Sequence, residues 1–591
     1  MENNNEKSVG YIISNRVRRY GGAPAARDAT DALTYSQLYV EATQLGSQIT
    51  EQQPGQGQCI AVAGPANVRT LVTLLAIVLS GNYYVYADLS QPRAWLTAQL
   101  ARLNCRRMIY SGDNPPDALP EGLTLLPAKA RRHAVAGELP AFAPTQAAYV
   151  NFSSGSTGEP KAIACTHAGI VRLCQQQTFL DFDARPVFLF HSPLSFDAAT
   201  LEIWGALLSG GCCVIHQEKM LTPQSLRQAI DLHGVNTLWL TASLFNALVD
   251  ADVSCLRGLR TVLTGGDTLS VPHVRKALTA HPTVRFVNGY GPTENTTFTC
   301  CHVIQQEDVQ GDDIPIGRAI AGTQVKLVDS QGEPVTMPGI SGEIYALGEG
   351  LALGYLGDVA RTAQAFVTLD GTRAYRTGDL ACYDAQGNLR FLGRADSQVK
   401  INGYRINLNE IENRLRAVPG VEDCTLLVQQ HQGAKRLIAA LQADDDRPAR
   451  EAAEHFPSWE RPSGWFCVRA LPLTRHGKVD RRALLAQWQA HQAQAPDPAM
   501  TRQEAACARW WSQLLGYPVT TRDQHFFTSG GNSLHALRLL AACHQHYADV
   551  PFSLHDLHQH ATLAAFAALL TRKGMDAGAF LNPTPEGVLV L

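Results

Sequence analysis

Between Tyr149 and Lys161 the chain reads YVNFSSGSTGEPK, and this stretch constrains the fold more than any other. Ala147 to Phe152 is short, apolar and rich in β-formers, which predicts a buried strand delivering a loop to one edge of a sheet. Ser153, Ser154, Gly155, Ser156, Thr157 and Gly158 then offer backbone N–H groups and hydroxyls with no bulky side chain between them and an incoming anion. The run predicts a phosphate cradle. It is not a Walker A loop, because Lys161 follows a proline and precedes Ala162 instead of opening a helix beside a serine or threonine. A Ser/Gly-rich surface loop has the same composition, so the rest of the chain must decide.

A chain of 591 residues suggests about three to four domains. With 45% hydrophobic and 17% charged residues and a net charge of -3, it has the composition of a soluble globular protein and no basic excess for nucleic acid. The polar N-terminus, MENNNEKSVG, is unlike a signal peptide, and the apolar run Leu71 to Leu79 is too short to span a bilayer, so a cytoplasmic protein without a membrane partner is expected. The 14 cysteines contain no CxxC, and the pairs Cys212-Cys213 and Cys300-Cys301 have the wrong spacing for zinc; buried reduced thiols are expected. Short apolar strands (Cys59 to Ala63, Val85 to Ala87, Arg107 to Tyr110) alternate with helical periods (Val68 to Leu79, Ala94 to Leu103). This is the pattern of an α/β fold with parallel sheets, whose ligand sites gather at the carboxyl ends of strands.

Further along, Asp197 stands in an apolar neighbourhood ahead of a helix over Ala199 to Leu208. It is either that helix's N-cap or a carboxylate awaiting a cation. Asn288-Gly289-Tyr290-Gly291-Pro292-Thr293-Glu294 reads as a turn ending in a carboxylate, and Asp379 and Lys478 each follow a glycine. Residues 487–500 are rich in Gln, Ala and Pro without periodicity, hence a linker. Beyond it, Arg502 to Leu515 reads as an amphipathic helix, and Ser533 opens a second after Phe526-Phe527-Thr528-Ser529-Gly530-Gly531-Asn532.

Taken in order, these segments resemble the adenylation domains of nonribosomal peptide synthetases, of the adenylate-forming superfamily, fused to a peptidyl carrier domain. Leu33 to Leu38, GNYYVYAD at Gly81 to Asp88, Gly342 to Tyr355, Tyr375 to Asp379 and Gly393 to Arg405 follow at matching spacing. Ala162, Tyr86, Asn402 and Asn532 depart from the residues usual there. The resemblance implies a large N-terminal α/β subdomain over 1–395, a small α+β subdomain over 396–486, the linker, a four-helix carrier over 501–572 and a tail over 573–591 of no assigned role.

It also implies the chemistry. ATP lies in the 153–158 cradle with Lys161, against Gly289, Tyr290, Gly291 and Thr293, its ribose on Asp379 and Arg394 nearby. Glu294 holds Mg2+, Asp396 is a hinge, and Lys478, Glu294 and Thr157 carry catalysis. Asp197 binds the α-ammonium and Lys478 the carboxylate of an amino acid, while Ala198, Leu201, Ser243, Leu263, Gly265, Gly289, Thr297 and Phe298 surround its side chain. None of these eight is charged, and the set suits valine or another branched aliphatic residue. Ser533 carries 4'-phosphopantetheine and receives the activated acyl group as a thioester. Partners implied are a phosphopantetheinyl transferase, a condensation, tailoring or thioesterase partner acting in trans, and a small activator protein as a further candidate. An acyl- or aryl-acid ligase with a fused carrier, a non-catalytic scaffold and a luciferase-like oxidative enzyme are the alternatives. Asp197 speaks against the first, retention of Glu294, Asp379, Lys478 and Ser533 together against the second, and the attached carrier against the third.

Overall fold

The computed structural model describes the chain from Lys7 to Gly578 except 116–118, 130–142, 154–159, 219, 396–397, 402–403, 432–433, 473–478, 493–499, 516–518, 528–530, 532, 548–549 and 551. Two compact units separate, one of residues 1–245 and 253–407, the other of 246–252 and 408–591. The first runs on past the expected hinge at Asp396, itself outside the described residues, and includes the hairpin Gln398–Ile401 and Tyr404–Asn407.

The expected parallel sheets are the frame of the first unit. A nine-stranded sheet places Arg285–Tyr290, Thr261–Gly265, Thr237–Thr241, Val187–Phe190 and Cys212–Ile215 side by side and parallel. A six-stranded sheet runs Thr124–Leu126, Arg107–Tyr110, Cys59–Ala63, Tyr83–Tyr86, Ala147–Ser153 and Lys161–Thr166, antiparallel only at its last pair. Strands buried on both faces read as continuous apolar runs, as Cys59–Ala63 does. Helix Val68–Leu79 is buried at every residue but Arg69, which is why its sequence is apolar all round; Asn67 and Thr70 close its first turn as a capping box.

A third, antiparallel sheet pairs Gly342–Gly348 with Thr323–Val328 and with the long strand Thr372–Tyr383. The alternation of strands and helices along the sequence does not reveal it. Its register sets Asp379 opposite Arg394.

In the second unit, strands Asp423–His431, Ala434–Gln442 and Gly464–Val468 form one sheet, and Leu427, Ile438, Ala440, Phe466, Leu484 and Trp488 pack together as a core. Beyond helix Arg481–Gln492 the described residues hold four more, Arg502–Leu515, Ser533–His546, Leu554–Gln559 and Leu563–Arg572, the number expected of the carrier. Trp511 packs 5.0 Å from Phe526 and 5.2 Å from Phe566 at their core. One expectation is corrected: Cys301 and Cys382 are half-buried and Cys467 is exposed, the other free cysteines being buried. Successive strand side chains alternate faces, so with Phe466 turned into the core Cys467 points out. Among the described residues no helix is long and apolar enough to cross a membrane.

Candidate active site

The predicted strand into the phosphate loop is Ala147–Ser153, and it pairs antiparallel with Lys161–Thr166 so that Ser153 sits opposite Lys161. The two residues are the feet of the loop whose tip, Ser154 to Gly158, lies outside the described residues. Ser153 Oγ is buried with no hydrogen-bond partner among the described residues, an orphaned donor at the place where an anion is expected. Lys161 Nζ stands 5.0 Å over the ring of Tyr355, and the Tyr355 hydroxyl donates to Glu294 Oε1 at 2.8 Å.

Asp197 occupies the N-cap position of helix Ala198–Ser209, yet its side chain caps nothing. Instead Oδ2 accepts from Thr293 Oγ1 at 2.7 Å, and its backbone carbonyl accepts from Thr297 Oγ1 at 2.9 Å. No salt bridge reaches this buried carboxylate among the described residues. Burial pushes its pKa up to about 6, with Thr293 and Lys400 pulling it down and Glu294 pushing it further up. A buried carboxylate is stable when a cation meets it; the ammonium of an amino acid fits that need. The approach to Asp197 is anchored by Glu202, which accepts from Ser192 N at 3.0 Å and Ser192 Oγ at 2.9 Å.

Gly289 and Tyr290 end strand Arg285–Tyr290, and Gly291 leads on to the one-turn helix Thr293–Asn295 that carries Glu294. Tyr290 donates to Asp379 Oδ2 at 2.6 Å, and Arg394 pairs with Asp379 Oδ1. Asp379 and Arg394, expected to serve the same nucleotide, are therefore already together, with lone pairs of the carboxylate left for further donors. Lys400, on the hairpin after 396, lies 5.3 Å over the Tyr290 ring, and Tyr404 packs 5.9 Å from Phe196. Among the described residues no group of three His, Cys, Asp or Glu side chains gathers as a metal centre, so Glu294 would serve Mg2+ as a single carboxylate, the rest of the shell coming from phosphate and water.

The residues expected around the substrate's side chain lie on three neighbouring strands in register: Trp239 beside Leu263 beside Val287, and, two residues on, Thr241 beside Gly265 beside Gly289. A Cβ on Gly289 would stand 2.4 Å from the Phe298 ring, and one on Gly265 would stand 2.0 Å from Gly289 O. Ala198, Leu201, Leu263, Thr297 and Phe298 are buried, while Ser243 sits half-buried on the first turn of helix Ala242–Asp252. Sequence reasoning passes over Trp239, whose ring lies 5.3 Å from that of Phe298 and 3.0 Å from where a Cβ on Gly265 would be. The signal is its alternation with Leu238 and Leu240, which puts it on the face of Leu263 and Gly265.

In the second unit Ser533 is the first residue of helix Ser533–His546, as expected; its side chain, like Lys478, lies outside the described residues. The preceding Gly531 is packed so closely that a Cβ there would stand 2.4 Å from Phe526 O.

Residues 13–356 match the family model of the AMP-binding enzymes, and residues 508–570 match that of the phosphopantetheine attachment site. A linear gramicidin synthase protein of Brevibacillus parabrevis is 37% identical over 615 residues, which is 99% of this chain but 8% of that protein. Bacitracin synthase 1 of Bacillus licheniformis is 31% identical over 91% of this chain and 10% of that protein. This chain thus spans a small fraction of the curated relatives it matches. The structure of holo-PA1221, a nonribosomal peptide synthetase protein containing adenylation and PCP domains bound to a vinylsulfonamide inhibitor, matches with a TM-score of 0.90 at 48% identity, covering 97% of this chain and 98% of that one. The artificially fused adenylation–PCP protein NpsA-ThdA of Klebsiella oxytoca matches at 26% identity with a TM-score of 0.71, over 78% of this chain and 93% of that one. A nucleotide-binding unit and a carrier helix headed by serine are the two halves of one known arrangement, and this chain belongs to the AMP-binding enzyme family in its nonribosomal peptide synthetase form, an adenylation domain joined to a phosphopantetheine attachment site.

Proposed function

We propose that this protein activates valine, or a closely similar branched aliphatic amino acid, with ATP and passes it to its own carrier domain. The substrate carboxylate attacks the α-phosphate of ATP and pyrophosphate departs toward the 153–161 loop, Thr157 among its donors. Glu294, oriented by the Tyr355 hydroxyl, would hold magnesium, which when bound would supply charge to offset that building on the α-phosphate. Tyr290 and Gly291 border the adenine, Asp379 and Arg394 hold the ribose end, and Lys478 brings the two anions together. Ser533 would hold 4'-phosphopantetheine, whose thiol would take the acyl group from the adenylate as a thioester while AMP leaves. Asp396 is the hinge between the subdomain ending at 395 and the smaller one that follows, with the carrier beginning after the 487–500 linker. A phosphopantetheinyl transferase installs the arm on Ser533, and a downstream synthetase partner takes the loaded acyl group.

The observation that carries the reading is Asp197, a buried carboxylate that does not cap its helix and forms no salt bridge among the described residues, Lys400 easing its charge without pairing with it. An acid lacking an amino group would leave it unpaired. Valine is supported by the walls: Trp239, Leu201, Leu263 and Phe298 limit breadth, the space beside Gly265 and Gly289 is already taken by the Gly289 carbonyl and the Phe298 ring, which limits depth, and no charged group among the named wall residues meets an acidic or basic side chain. Amino-acid-dependent exchange of labelled pyrophosphate into ATP across the standard amino acids is the test. Valine, isoleucine and leucine are expected to lead, with valine and isoleucine within roughly 10- to 200-fold of each other, since one methylene is worth about 1–3 kcal/mol. A leading aromatic or charged amino acid sinks the pocket assignment; exchange with none sinks the activity.

The raised pKa of Asp197 gives a pH signature. Its ionised form binds the ammonium, so KM for the amino acid should be flat from about pH 6 up to the titration of the ammonium itself and rise about tenfold per unit below about pH 6. A KM for the amino acid that stays flat down to about pH 4, the ordinary aspartate range, would show that Asp197 is not its partner.

A further inference from the structure

Arg172 is a fully buried cation on helix His167–Cys174 and belongs to none of the groups assigned to substrate or nucleotide. Its guanidinium meets no carboxylate among the described residues. It donates instead to backbone carbonyls of a single turn: Nη1 to Phe298 O at 2.6 Å, and Nη2 to Asn295 O and, at 3.3 Å, to Thr296 O. That turn is unusual. Thr296 has φ 48° and Thr297 has φ 67°, two consecutive β-branched residues in the left-handed region, where glycine is the ordinary occupant.

We propose that Arg172 is a positioning residue that holds the 295–298 turn in this left-handed conformation and so fixes, at its two ends, Glu294 and the pocket residues Thr297 and Phe298. A planar fork with several donors suits three carbonyls that diverge from one turn; a single ammonium cannot reach them together. The surroundings are shaped to the same end. A Cβ on Gly350 would stand 2.0 Å from Arg172 Nη2, and one on Gly169 would stand 2.5 Å from Thr296 Oγ1. Further ties over-determine the turn: Asn295 Nδ2 donates to Thr299 Oγ1 at 2.8 Å, Thr296 Oγ1 to Gly350 O at 2.8 Å and Ala352 N to Glu294 O at 2.8 Å. Desolvation draws the Arg172 pKa down to about 10, which still leaves it charged at neutral pH.

The catalytic consequence rests on the activity proposed above; the structural one does not. The experiment therefore compares the full-length parent, Arg172→Lys and Arg172→Lys with Thr296→Gly by hydrogen exchange of the 291–300 segment and by pyrophosphate exchange. In Arg172→Lys, amide protection across 291–300 should fall, kcat should drop on the order of 100-fold, the Mg2+ concentration for half-maximal rate should rise and the valine-to-leucine preference should change. Thr296→Gly, which takes the left-handed conformation without steric cost, should restore part of both protection and rate in the double variant. Unchanged protection in a folded Arg172→Lys protein overturns the inference. So does a loss of rate that leaves KM, Mg2+ requirement and preference at parental values, because a smaller active fraction alone would produce it. If the parent exchanges pyrophosphate with no amino acid, the functional reading fails while the protection data still decide the role of Arg172.

Discussion

Replacing Ser533 with alanine is expected to abolish covalent loading of the carrier while amino-acid-dependent pyrophosphate exchange stays within about twofold of the parent. Ser533 begins a helix in the second compact unit; Asp197, Glu294 and Asp379 belong to the first. Loss of the hydroxyl removes the point of attachment outright, so the first effect is all or none. Helix N-termini favour phosphate, and alanine there leaves the backbone donors in place without anything to esterify. Intact-mass measurement after incubation with coenzyme A and a phosphopantetheinyl transferase reads the modification, and labelled valine retained on the protein reads the loading. Modification persisting in the variant would move the attachment site elsewhere. A matching loss of pyrophosphate exchange would contradict the division of labour between the units.

Asp197→Asn should lower kcat/KM for valine by roughly 10²- to 10⁴-fold, the loss expected when a desolvated ion loses its partner at about 3–5 kcal/mol. The same change should spare the fold. Asparagine has the volume of aspartate, and its oxygen can still accept from Thr293 Oγ1, which now lies 2.7 Å from the carboxylate. Stability should move the other way. The folded-state pKa is about 6, above the ordinary aspartate value of 3.8, so the free protein's folded form is penalised for ionising Asp197 as pH rises through that window, and the neutral amide escapes the penalty. The thermal midpoint at about pH 7.5 is therefore expected to rise slightly as activity collapses. A loss under about tenfold would remove Asp197 from the substrate's ammonium.

Much of this is legible in the sequence because it is local. Ala147 to Phe152 and Arg502 to Leu515 declare themselves by composition and period, and the structure has them as Ala147–Ser153 and Arg502–Leu515. The chain order of motifs carries the family. What stays hidden depends on partners distant in sequence. Trp239 reads as a core aromatic in a strand until its register with Leu263 is known. Arg172 reads as a stray charge in the apolar stretch HAGIVRLC until the carbonyls more than a hundred residues away are seen to receive it. Thr296 and Thr297 are hidden for the opposite reason: propensity argues against left-handed threonine, and only the packed surroundings override it. Cys467 escapes a reading from composition because composition does not say which face of a strand a residue takes.

The paired glycines of the sheet have a consequence for altering what the protein accepts. Gly265 and Gly289 are neighbours in register, the first meeting the other's carbonyl and the second meeting the Phe298 ring. In the proposed pocket a side chain at 265 would meet main chain and one at 289 the Phe298 ring, so depth could not be tuned at either position alone. Breadth would be set by the rings of Trp239 and Phe298, which pack against each other and also against the two glycines. Libraries that vary 239 and 298 jointly should yield graded shifts among aliphatic substrates, whereas libraries at 265 or 289 alone should yield mostly dead proteins, and a new depth would come only by exchanging residues 237–298 as a block.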